Sequence, residues 1–397
     1  MEQLLSIMVR RIDTISTSFV RDMMNHIEWD ARLVGIKGAR GIGKTTLLLQ
    51  RIKLHHQLDG TVLYVSADNI WFGSHTLYDL ANDFYMHGGK YLYIDEVHKY
   101  PNWSQELKNI YDDIPGLHVV FTGSSLLQIL NASADLSRRA IIYEMQGLSF
   151  REYLNLNYGL QLPSFSLDEM LSHHAEIERL ISGKIMPLQF FHDYLKNGYY
   201  PFYNELPKLY GYRLNEVMNF IIEFEIPQLR SVDVAYVHKV KQLLGIIAES
   251  APFTPNISKL SERIGISRNL LLAYLKALHD SRLIFTAHKH SEGISILQKP
   301  DKIYLENPNL MYAIAGANTN IGNVRETFAA NQLRYHNQVN LSPNSDFLVD
   351  QKYTFEIGGQ NKNYKQIENL PNAYILSDDI EYGYDRKLPL WLLGFLY

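Results

Sequence analysis

The chain has 397 residues, more than one typical core holds, and its apolar fraction of 46% and charged fraction of 20% suit a folded globular protein. A net charge of −4 argues against a protein that coats nucleic acid, so any such contact needs a local patch. The absence of cysteine excludes disulfides, thiolate zinc sites and cysteine nucleophiles. No signal peptide pattern and no apolar run of roughly 20 residues is found, so we expect a cytoplasmic protein without membrane contact.

The first part of the chain predicts an α/β domain. Residues 1–30 have apolar positions spaced for one buried helix face, and from residue 32 short apolar strands alternate with helices. Such alternation indicates a parallel sheet covered on both faces. The predicted strands are 33–36, 62–65, 91–94 and 119–122, and the predicted helices between them are 45–55, 77–85 and 103–112.

The next part is predicted to be mostly helical. Residues 147–235 contain mostly helical signals, and residues 236–300 contain three helices followed by a hairpin around Glu292-Gly293. Ser267 is the expected N-cap of the third helix. This order favours a winged helix-turn-helix. Its predicted helices are 237–250, 256–264 and 268–280, and its predicted strands are 283–286 and 295–297.

A glycine-rich loop follows the first predicted strand and opens a helix. It has the complete Walker A pattern, and in that setting the glycines let backbone N–H groups point at phosphates. We expect Lys44 to reach the β- and γ-phosphates of ATP, and Thr45 to bind Mg²⁺. The residues expected to bind the nucleotide are Gly38, Ala39, Arg40, Gly41, Ile42, Gly43, Lys44, Thr45 and Thr46.

An acidic pair ends the third predicted strand, in the position of a Walker B motif. Asp95 is expected to hold Mg²⁺ together with Thr45. Glu96 is expected to polarise the attacking water as a general base. An acidic pair that merely faces solvent is the plain alternative, but the glycine loop upstream favours the catalytic interpretation.

Two further side chains are candidates for sensing or stabilising the γ-phosphate. Ser124, ahead of Ser125, follows the fourth strand and can sense hydrolysis by hydrogen bonding, although a simple turn uses the same residue types. Arg139 of the Arg138-Arg139 pair can stabilise transition-state charge. A surface pair that bridges to an acid explains the arginines equally well.

These motifs together resemble a known family, the prokaryotic AAA+-type ATPases that carry a C-terminal domain of unknown function (DUF4143). The resemblance rests on the order and spacing of five runs and covers most of the chain. It implies an ASCE-class P-loop sheet, a helical lid and a winged-helix module, and it favours Arg139 as the family arginine, with Arg138 where glycine is usual. The five runs are 38–46, 93–103, 121–125, 135–140 and 148–153.

Members of this family often end in a segment similar to PD-(D/E)xK nucleases, in which carboxylates and a lysine activate water. The matching residues here are Asp346 and Glu356, with Glu326 on an upstream helix. Glycine occupies position 358, where the lysine belongs, although Lys362 or Lys365 can substitute from nearby. The glycine favours a nuclease-like fold kept as a structural or binding module, so nuclease activity is not expected.

The sequence therefore predicts a P-loop NTPase parallel sheet with a helical lid, a winged helix-turn-helix and a small α+β nuclease-like domain. We expect an ATP- and Mg²⁺-dependent hydrolase that acts as a nucleotide-driven switch, with a protein partner or second copy completing its site. Alternatives are a DNA-binding regulator, which uses Arg268, Asn269 and Lys276 with Arg282 and Lys289 nearby, or an ATP-gated nuclease. The expected domains are 1–146, 147–235, 236–300 and 301–397.

Overall fold

The computed structural model describes residues 1–123, 136–227, 236–250, 252–289 and 299–397. These residues form two compact units, Met1–Gly147 and Leu148–Tyr397, and each unit is described by itself. In the described part of the chain, no helix combines the length and the apolar character needed to cross a bilayer.

The first unit alternates strands and helices as the sequence predicts. Every predicted strand lies within an observed one, and the bounds of the three predicted helices between them agree within one residue. Short 3-10 turns occupy Asp22–Asn25, Ile70–Gly73 and Val97–Lys99. The main elements are α1 (Glu2–Thr14), β1 (Leu33–Gly38), α2 (Lys44–His55), β2 (Val62–Ser66), α3 (Leu77–Met86), β3 (Tyr91–Asp95), α4 (Trp103–Asp113), β4 (His118–Gly123) and β5 (Ile141–Met145).

The five strands form one parallel sheet in the order β2-β3-β4-β1-β5. The expected α/β fold class is confirmed. Strand β5 was not among the predicted strands, because it is an edge strand whose first residues, Ile141 and Ile142, are exposed and give no buried pattern. Because all strands point the same way, the segments that follow β1, β2, β3 and β4 leave the sheet at one edge, where ligands of such sheets bind.

The core of the first unit lies between the sheet and the α3–α4 pair. Leu92 and Phe121 from the sheet pack with Leu80 of α3 and Leu107 of α4. Helix α1 packs against β2, an edge strand of the sheet, where Met8 accepts a hydrogen bond from the backbone N–H of Tyr64. Successive residues of β1, β2, β3 and β4 are almost all buried, although they point alternately to the two faces. Both sheet faces are therefore covered, which explains the continuous apolar character of the strands.

The predicted helix over residues 1–30 is wrong beyond Thr14, where α1 ends. Residues 14–18 are β-branched or carry hydroxyl groups, and such side chains compete with helical backbone bonding. The freed carbonyls are used elsewhere, since those of Ser16 and Phe19 each accept a 2.8 Å hydrogen bond from the Gln50 amide. The chain from Ile15 to the start of β1 thus packs on α2 as a loop with one 3-10 turn.

The second unit begins with four helices, as predicted for residues 147–235, although residues 228–235 lie outside the described part. A π-helical segment at Ile221–Glu225 continues α8. The helices are α5 (Phe150–Tyr158), α6 (Leu167–Ser182), α7 (Leu188–Asn197) and α8 (Tyr210–Phe220).

Three helices and a two-stranded sheet follow. Helices α9 (Val237–Ser250), α10 (Ile257–Ile264) and α11 (Arg268–Asp280) match the prediction, and the hydroxyl of Ser267 accepts from the Leu270 amide as the expected N-cap. Strand β6 (Ile284–Ala287) is also as predicted, but its antiparallel partner is β7 (Lys302–Leu305). The predicted strand 295–297 and the Glu292-Gly293 turn lie outside the described residues.

The last part of the unit is a mixed five-stranded sheet in the order β12-β11-β10-β9-β8. Strands β10, β11 and β12 are parallel, whereas β8 and β9 are antiparallel additions. Helix α13 packs against β10. The elements are α12 (Pro308–Ala315), α13 (Ile321–Leu333), β8 (Val339–Leu341), β9 (Phe347–Val349), β10 (Tyr353–Gly358), β11 (Ala373–Ser377) and β12 (Lys387–Pro389).

Candidate functional site

The glycine loop joins β1 to α2, and three of its positions require glycine. Gly41 has a φ of 83° and Gly43 a φ of 99°, both in the left-handed region that glycine adopts without strain. A Cβ atom on Gly38 would collide with the carbonyl oxygen of Met145, at the end of β5. The loop can therefore curl tightly while it packs against the neighbouring strand.

The amino end of α2 has no side-chain cap, because its N-cap residue is Gly43. The N–H groups of a helix's first turn have no partner within the helix, and together with the helix dipole they attract anions. Lys44 is only 5% exposed, and its Nζ donates to the carbonyl oxygens of Gly38 at 3.0 Å and Ala39 at 2.8 Å. A lysine amine and the N–H groups of the first helical turn thus converge at the loop, which is the donor set that a polyphosphate requires.

The other residues expected to contact nucleotide belong to this loop and to the first turn of α2. Ile42 is fully buried and Ala39 nearly so, which anchors the loop on the domain core. Arg40 is half-buried, and Thr46 is exposed on the first turn of α2. The structure therefore places the whole stretch 38–46 at the carboxyl edge of the sheet.

Asp95 ends β3 and is surrounded by hydroxyl groups. It is 2% exposed, and its Oδ2 accepts hydrogen bonds from Thr45 Oγ1 at 2.7 Å and from the Tyr64 hydroxyl at 2.9 Å. Its Oδ1 accepts from the Thr122 hydroxyl. Carboxylate and hydroxyl oxygens are the hard ligands that Mg²⁺ prefers. Thr45 and Asp95, which are in contact, therefore suit that ion.

Glu96 follows in a left-handed backbone conformation, with φ 52° and ψ 37°. Its amide donates to Thr122 Oγ1 at 3.1 Å, which fixes the turn. One carboxylate oxygen lies 3.6 Å from Nζ of Lys99 and 3.7 Å from Nε2 of His98. Lys99 also pairs with Asp68 at 2.9 Å, so it connects Glu96 to the segment that follows β2.

His98 is a buried neutral side chain in this cluster. Burial lowers the pKa of His98 to about 3, and the nearby cations Lys44, Lys99 and Arg40 act in the same direction. The imidazole is therefore uncharged at neutral pH and can accept or donate a hydrogen bond beside Glu96. His98 carries no signal in the sequence, because its spacing from other histidines and acidic residues matches no metal-ligand pattern.

Ser124, the expected sensor, and Ser125 lie outside the described residues. The side chain that contacts both acidic residues is Thr122, two positions earlier and fully buried. Its signal was present in the sequence, as a hydroxyl residue at the end of the strand beside β3. The predicted strand 119–122 ends at this residue, but the sensor role was assigned to Ser124, ahead of Ser125.

Arg139 is not brought to the loop of its own chain. Its Nε and Nη2 bind the two carboxylate oxygens of Asp112 at 2.8 and 2.9 Å. Val34 pairs with Ile141, so Arg139 lies just before β5 at the amino-terminal edge of the sheet. The loop leaves from the carboxyl edge, roughly 17–20 Å away along β1. Within one chain, the interpretation as a pair bridging to an acid fits the contacts.

Arg21 was missed by the sequence analysis. It is 7% exposed, and its guanidinium donates to the carbonyl oxygens of Ile42 at 2.9 Å, Gln146 at 2.8 Å and Gly147 at 2.9 Å. One arginine thus connects the glycine loop with the end of the first unit. No local pattern signals this role, because the partners lie 21 and 125 residues away.

The three candidate carboxylates of the second unit, Asp346, Glu326 and Glu356, are close enough to interact electrostatically. The amide of Ile357 donates to Asp346 Oδ2 at 2.8 Å. Burial raises the pKa of Asp346 to about 6, with help from the negative charges of Glu326 and Glu356. Glu326 accepts hydrogen bonds from Lys302 at 3.1 Å and Tyr304 at 3.2 Å. Among the described residues, the group whose ligand atoms all lie within 4.8 Å is a different one, His192, Asp378 and Asp379.

Lys362 fills the space of the absent lysine side chain. A Cβ atom placed on Gly358 would lie 2.7 Å from both Cβ and Cγ of Lys362, so that side chain crosses directly over the glycine. Its Nζ forms an ion pair with the buried carboxylate of Glu356, which also accepts a 2.7 Å hydrogen bond from Ser345. Lys365, the other candidate substitute, is exposed.

The outward face of α11 carries part of the predicted cationic patch. Arg268, Asn269 and Lys276 are exposed, as DNA contact requires. Arg282 is half-buried, and burial lowers its pKa while the carboxylate of Glu306 opposes that effect. Arg282 therefore belongs to an internal network and not to the exposed patch.

Residues 30–154 match the family model described as "AAA domain" (AAA_14). This part of the chain is an AAA-type P-loop domain. The glycine loop, Asp95, Glu96 and all five strands of the parallel sheet lie within the matched residues. The AAA domain is a nucleotide-binding domain of the ATPase class.

Residues 188–320 match a second family model, described as a domain of unknown function (DUF8612). The match runs from α7 to the end of α12 and its adjoining turn, so it crosses the predicted boundaries at 235 and 300. The DUF4143 and nuclease-like parts of the resemblance are not confirmed and stay predictions.

The chain is similar to the uncharacterized protein MJ1637 of Methanocaldococcus jannaschii, with 27% identity over 295 residues, which are 70% of this chain and 61% of that protein. The Walker-type ATPase PABY2304 of Pyrococcus abyssi aligns with a TM-score of 0.44 and 13% identity over 75% of this chain and 96% of that one. AMPPCP-bound DnaA from Aquifex aeolicus aligns with a TM-score of 0.27 and 15% identity over 65% and 85%. At these TM-scores the two structures carry no argument about function.

Proposed function

We propose that this protein is an Mg²⁺-dependent ATPase whose nucleotide state acts as a conformational switch. The observation that carries the proposal is the 2.7 Å hydrogen bond between Thr45 Oγ1 and Asp95 Oδ2, at the open end of α2. It joins the phosphate loop to the acidic strand end, and both of its oxygens suit Mg²⁺.

Each residue has a distinct part in binding. The N–H groups of the loop and of the first turn of α2 donate to the phosphate oxygens, and Lys44 exchanges its two carbonyl partners for those oxygens. Thr45 and Asp95 would hold Mg²⁺, which neutralises phosphate charge when bound. Thr122 holds the Asp95 carboxylate and the Glu96 backbone in fixed positions, since its hydroxyl is hydrogen-bonded to both.

Glu96 is the base in this proposal. Its carboxylate accepts a proton from water that lies in line with the γ-phosphate. Lys99 and His98 lie within 3.7 Å of that carboxylate and hold it in place. Because Arg139 lies at the other edge of the sheet, a second copy or a protein partner has to bring an arginine to the loop.

Arg21 supports the switch. Its guanidinium bonds the Ile42 carbonyl in the loop and the Gln146 and Gly147 carbonyls where the first unit ends. A ligand that moves the loop changes the acceptors of one buried arginine, and that change reaches the segment leading to the second unit. We infer that this segment is the output of the AAA domain.

The test is ATP binding and turnover of Lys44→Ala and Glu96→Gln beside the parent. Loss of the lysine amine is expected to weaken ATP binding by about 100-fold. Glu96→Gln is expected to keep binding and to lower turnover by about 100-fold or more. Lys53→Ala, in the same helix but bonded to the Asp13 and Ile15 carbonyls, is the control. Parent-like binding and turnover in Lys44→Ala would overturn the proposal.

A second candidate is a DNA-associated regulator in which ATP sets affinity. It is favoured by the exposed Arg268, Asn269 and Lys276 on α11 and by the three-helix order that ends in the β6–β7 sheet. Binding to duplex DNA should then weaken with salt and on Arg268→Glu or Lys276→Glu, but not on Lys196→Glu in α7. Binding that ignores salt and both substitutions would exclude this role.

An ATP-gated nuclease is favoured by one contact, the Lys362–Glu356 ion pair over Gly358. In that case Asp346 and Glu356 would hold Mg²⁺, and Lys362 would stand in for the lysine at position 358. Lys362→Met should abolish DNA cleavage while ATP turnover remains, and Lys365→Met should keep both. Absence of cleavage by the parent on duplex DNA, single-stranded DNA and RNA would exclude a nuclease.

A further inference from the structure

Tyr64 contacts the metal carboxylate of the proposed site from inside the domain. It lies on β2, is 1% exposed, and donates from its hydroxyl to Asp95 Oδ2 at 2.9 Å. In the β2–β3 register Ser66 pairs with Asp95, so Tyr64 lies two positions back on the same face. Its side chain therefore reaches Asp95 along the sheet, beneath the loop.

Arg11 fixes the direction of this contact. Its Nη1 donates to the Tyr64 hydroxyl at 2.7 Å, and its guanidinium carbon lies 5.5 Å from the centre of the Tyr64 ring. A guanidinium can only donate, so the hydroxyl accepts from Arg11 and its single proton goes to Asp95.

The contact also connects α1 to the site. Arg11 lies near the end of α1, and Met8 of the same helix accepts from the Tyr64 backbone amide at 3.1 Å. The side chain and the backbone of Tyr64 are thus both tied to α1. The Asp95 carboxylate accepts from Tyr64 on β2 and Thr122 on β4, and also from Thr45 in the first turn of α2.

We propose that Tyr64 is a positioning residue for Asp95 and that Arg11 couples helix α1 to the Mg²⁺ affinity of the ATP site. The inference rests on the proposed function, since it assigns a metal role to Asp95. Tyr64 and Asp95 are both buried and lie on neighbouring strands, and their bond holds the carboxylate oriented before the metal arrives. A carboxylate held in this way loses less rotational freedom on binding.

A merely structural tyrosine predicts something different. Buried tyrosines generally need a partner for the hydroxyl, and Phe fills the same space without it. If Tyr64 only packed the core, Tyr64→Phe would change stability and leave the Mg²⁺ dependence of the site unchanged. If it positions Asp95, the Mg²⁺ dependence shifts even where stability is restored.

The experiment is equilibrium binding of a fluorescent ATP analogue to the full chain, measured as a function of Mg²⁺ concentration, with turnover and thermal unfolding alongside. Tyr64→Phe is expected to raise the Mg²⁺ concentration for half-maximal binding by about tenfold, the value of one hydrogen bond to a charged group. Binding of the analogue without Mg²⁺ should stay within twofold. Arg11→Met should shift the Mg²⁺ midpoint in the same direction, by about threefold.

The matched control is Tyr93→Phe. Tyr93 is the direct neighbour of Tyr64 in the sheet and equally buried, but its hydroxyl lies 2.8 Å from Nε2 of His56 and not on Asp95. The double variant Arg11→Met, Tyr64→Phe should shift no further than Tyr64→Phe alone, because Arg11 acts through the hydroxyl.

The outcomes separate the two proposals. An Mg²⁺ midpoint in Tyr64→Phe that equals those of the parent and Tyr93→Phe overturns the positioning role. Mg²⁺-independent binding by the parent also overturns it. A parent that binds with the expected Mg²⁺ shift in Tyr64→Phe but shows no turnover supports the positioning role and contradicts only the ATPase.

Discussion

The hydroxyl of Thr45 donates a 2.7 Å hydrogen bond to Oδ2 of Asp95, across 50 residues of sequence. Thr45 lies in the first turn of α2 and Asp95 at the end of β3, so the contact depends on β1 and β3 ending at the same edge of the sheet. Thr45→Ala should weaken Mg²⁺-dependent ATP binding by about tenfold, because one hard ligand is lost. Thr45→Ser keeps the hydroxyl and should stay within threefold. Isothermal titration with and without Mg²⁺ measures both, and a serine variant as weak as the alanine one would contradict the role of the hydroxyl.

Arg21 should matter for stability as well as for coupling. Arg21→Met leaves three buried carbonyl acceptors without their charged donor, so we expect unfolding of the first unit to become easier by about 2–4 kcal/mol. Urea unfolding measures this cost, and Arg21→Lys, which keeps one cationic donor, should fall between the variant and the parent. ATP should change the protease pattern of the parent but not of Arg21→Met. An ATP response retained in full by Arg21→Met would contradict the coupling.

Arg139 should act across a molecular boundary. Arg139→Ala and Lys44→Ala should each lose most ATP turnover, the first for want of the arginine and the second for want of the loop. Mixed in equal amounts they should regain part of it, because an intact loop then meets an intact arginine from another copy. Turnover per chain should also rise with protein concentration in the parent. If Arg139→Ala keeps parent-like turnover and mixing restores none to Lys44→Ala, Arg139 has no role in the ATP site of another copy, and its pair with Asp112 is structural.

Asp346 should destabilise the second unit at neutral pH. Its pKa is about 6 in the folded chain against 3.8 ordinarily, because burial and nearby carboxylates disfavour the charge. Between these values the folded state holds more protons than the unfolded one, so stability falls as pH rises from about 4 to 6. Asp346→Asn removes the charge and should raise stability at pH 7 by about 1–3 kcal/mol, but little at pH 4. Unfolding at both pH values measures this, with exposed Asp350→Asn as the control.

The glycine loop and Asp95 could be found from the sequence because their signals are local. A turn that needs left-handed glycines and an apolar strand that ends in two acids are each visible within a dozen residues. The first four strands could be found for the same reason, since each is apolar and buried along most of its length. Strand β5 gave no such signal, because one of its edges and its first residues are exposed.

The partners of these motifs were beyond the sequence because they depend on register and chain direction. Tyr64 and Arg21 reach the site from strands and loops whose positions are set only when the sheet assembles. Arg139 was assigned by motif order, but the direction of β5 places it at the opposite edge. Lys362 is the opposite case, because position 358 has no lysine but the loop after β10 brings the Lys362 side chain over it. The sequence could offer this lysine only as one of two substitutes.

The two carbonyl contacts of Lys44 also affect which anions the loop can bind. Its amine already has two carbonyl partners, so an incoming anion must compete with them. A single phosphate offers few contacts in exchange, whereas a triphosphate engages the amine and the helix amides together. We therefore expect the loop to bind a nucleoside triphosphate in preference to inorganic phosphate.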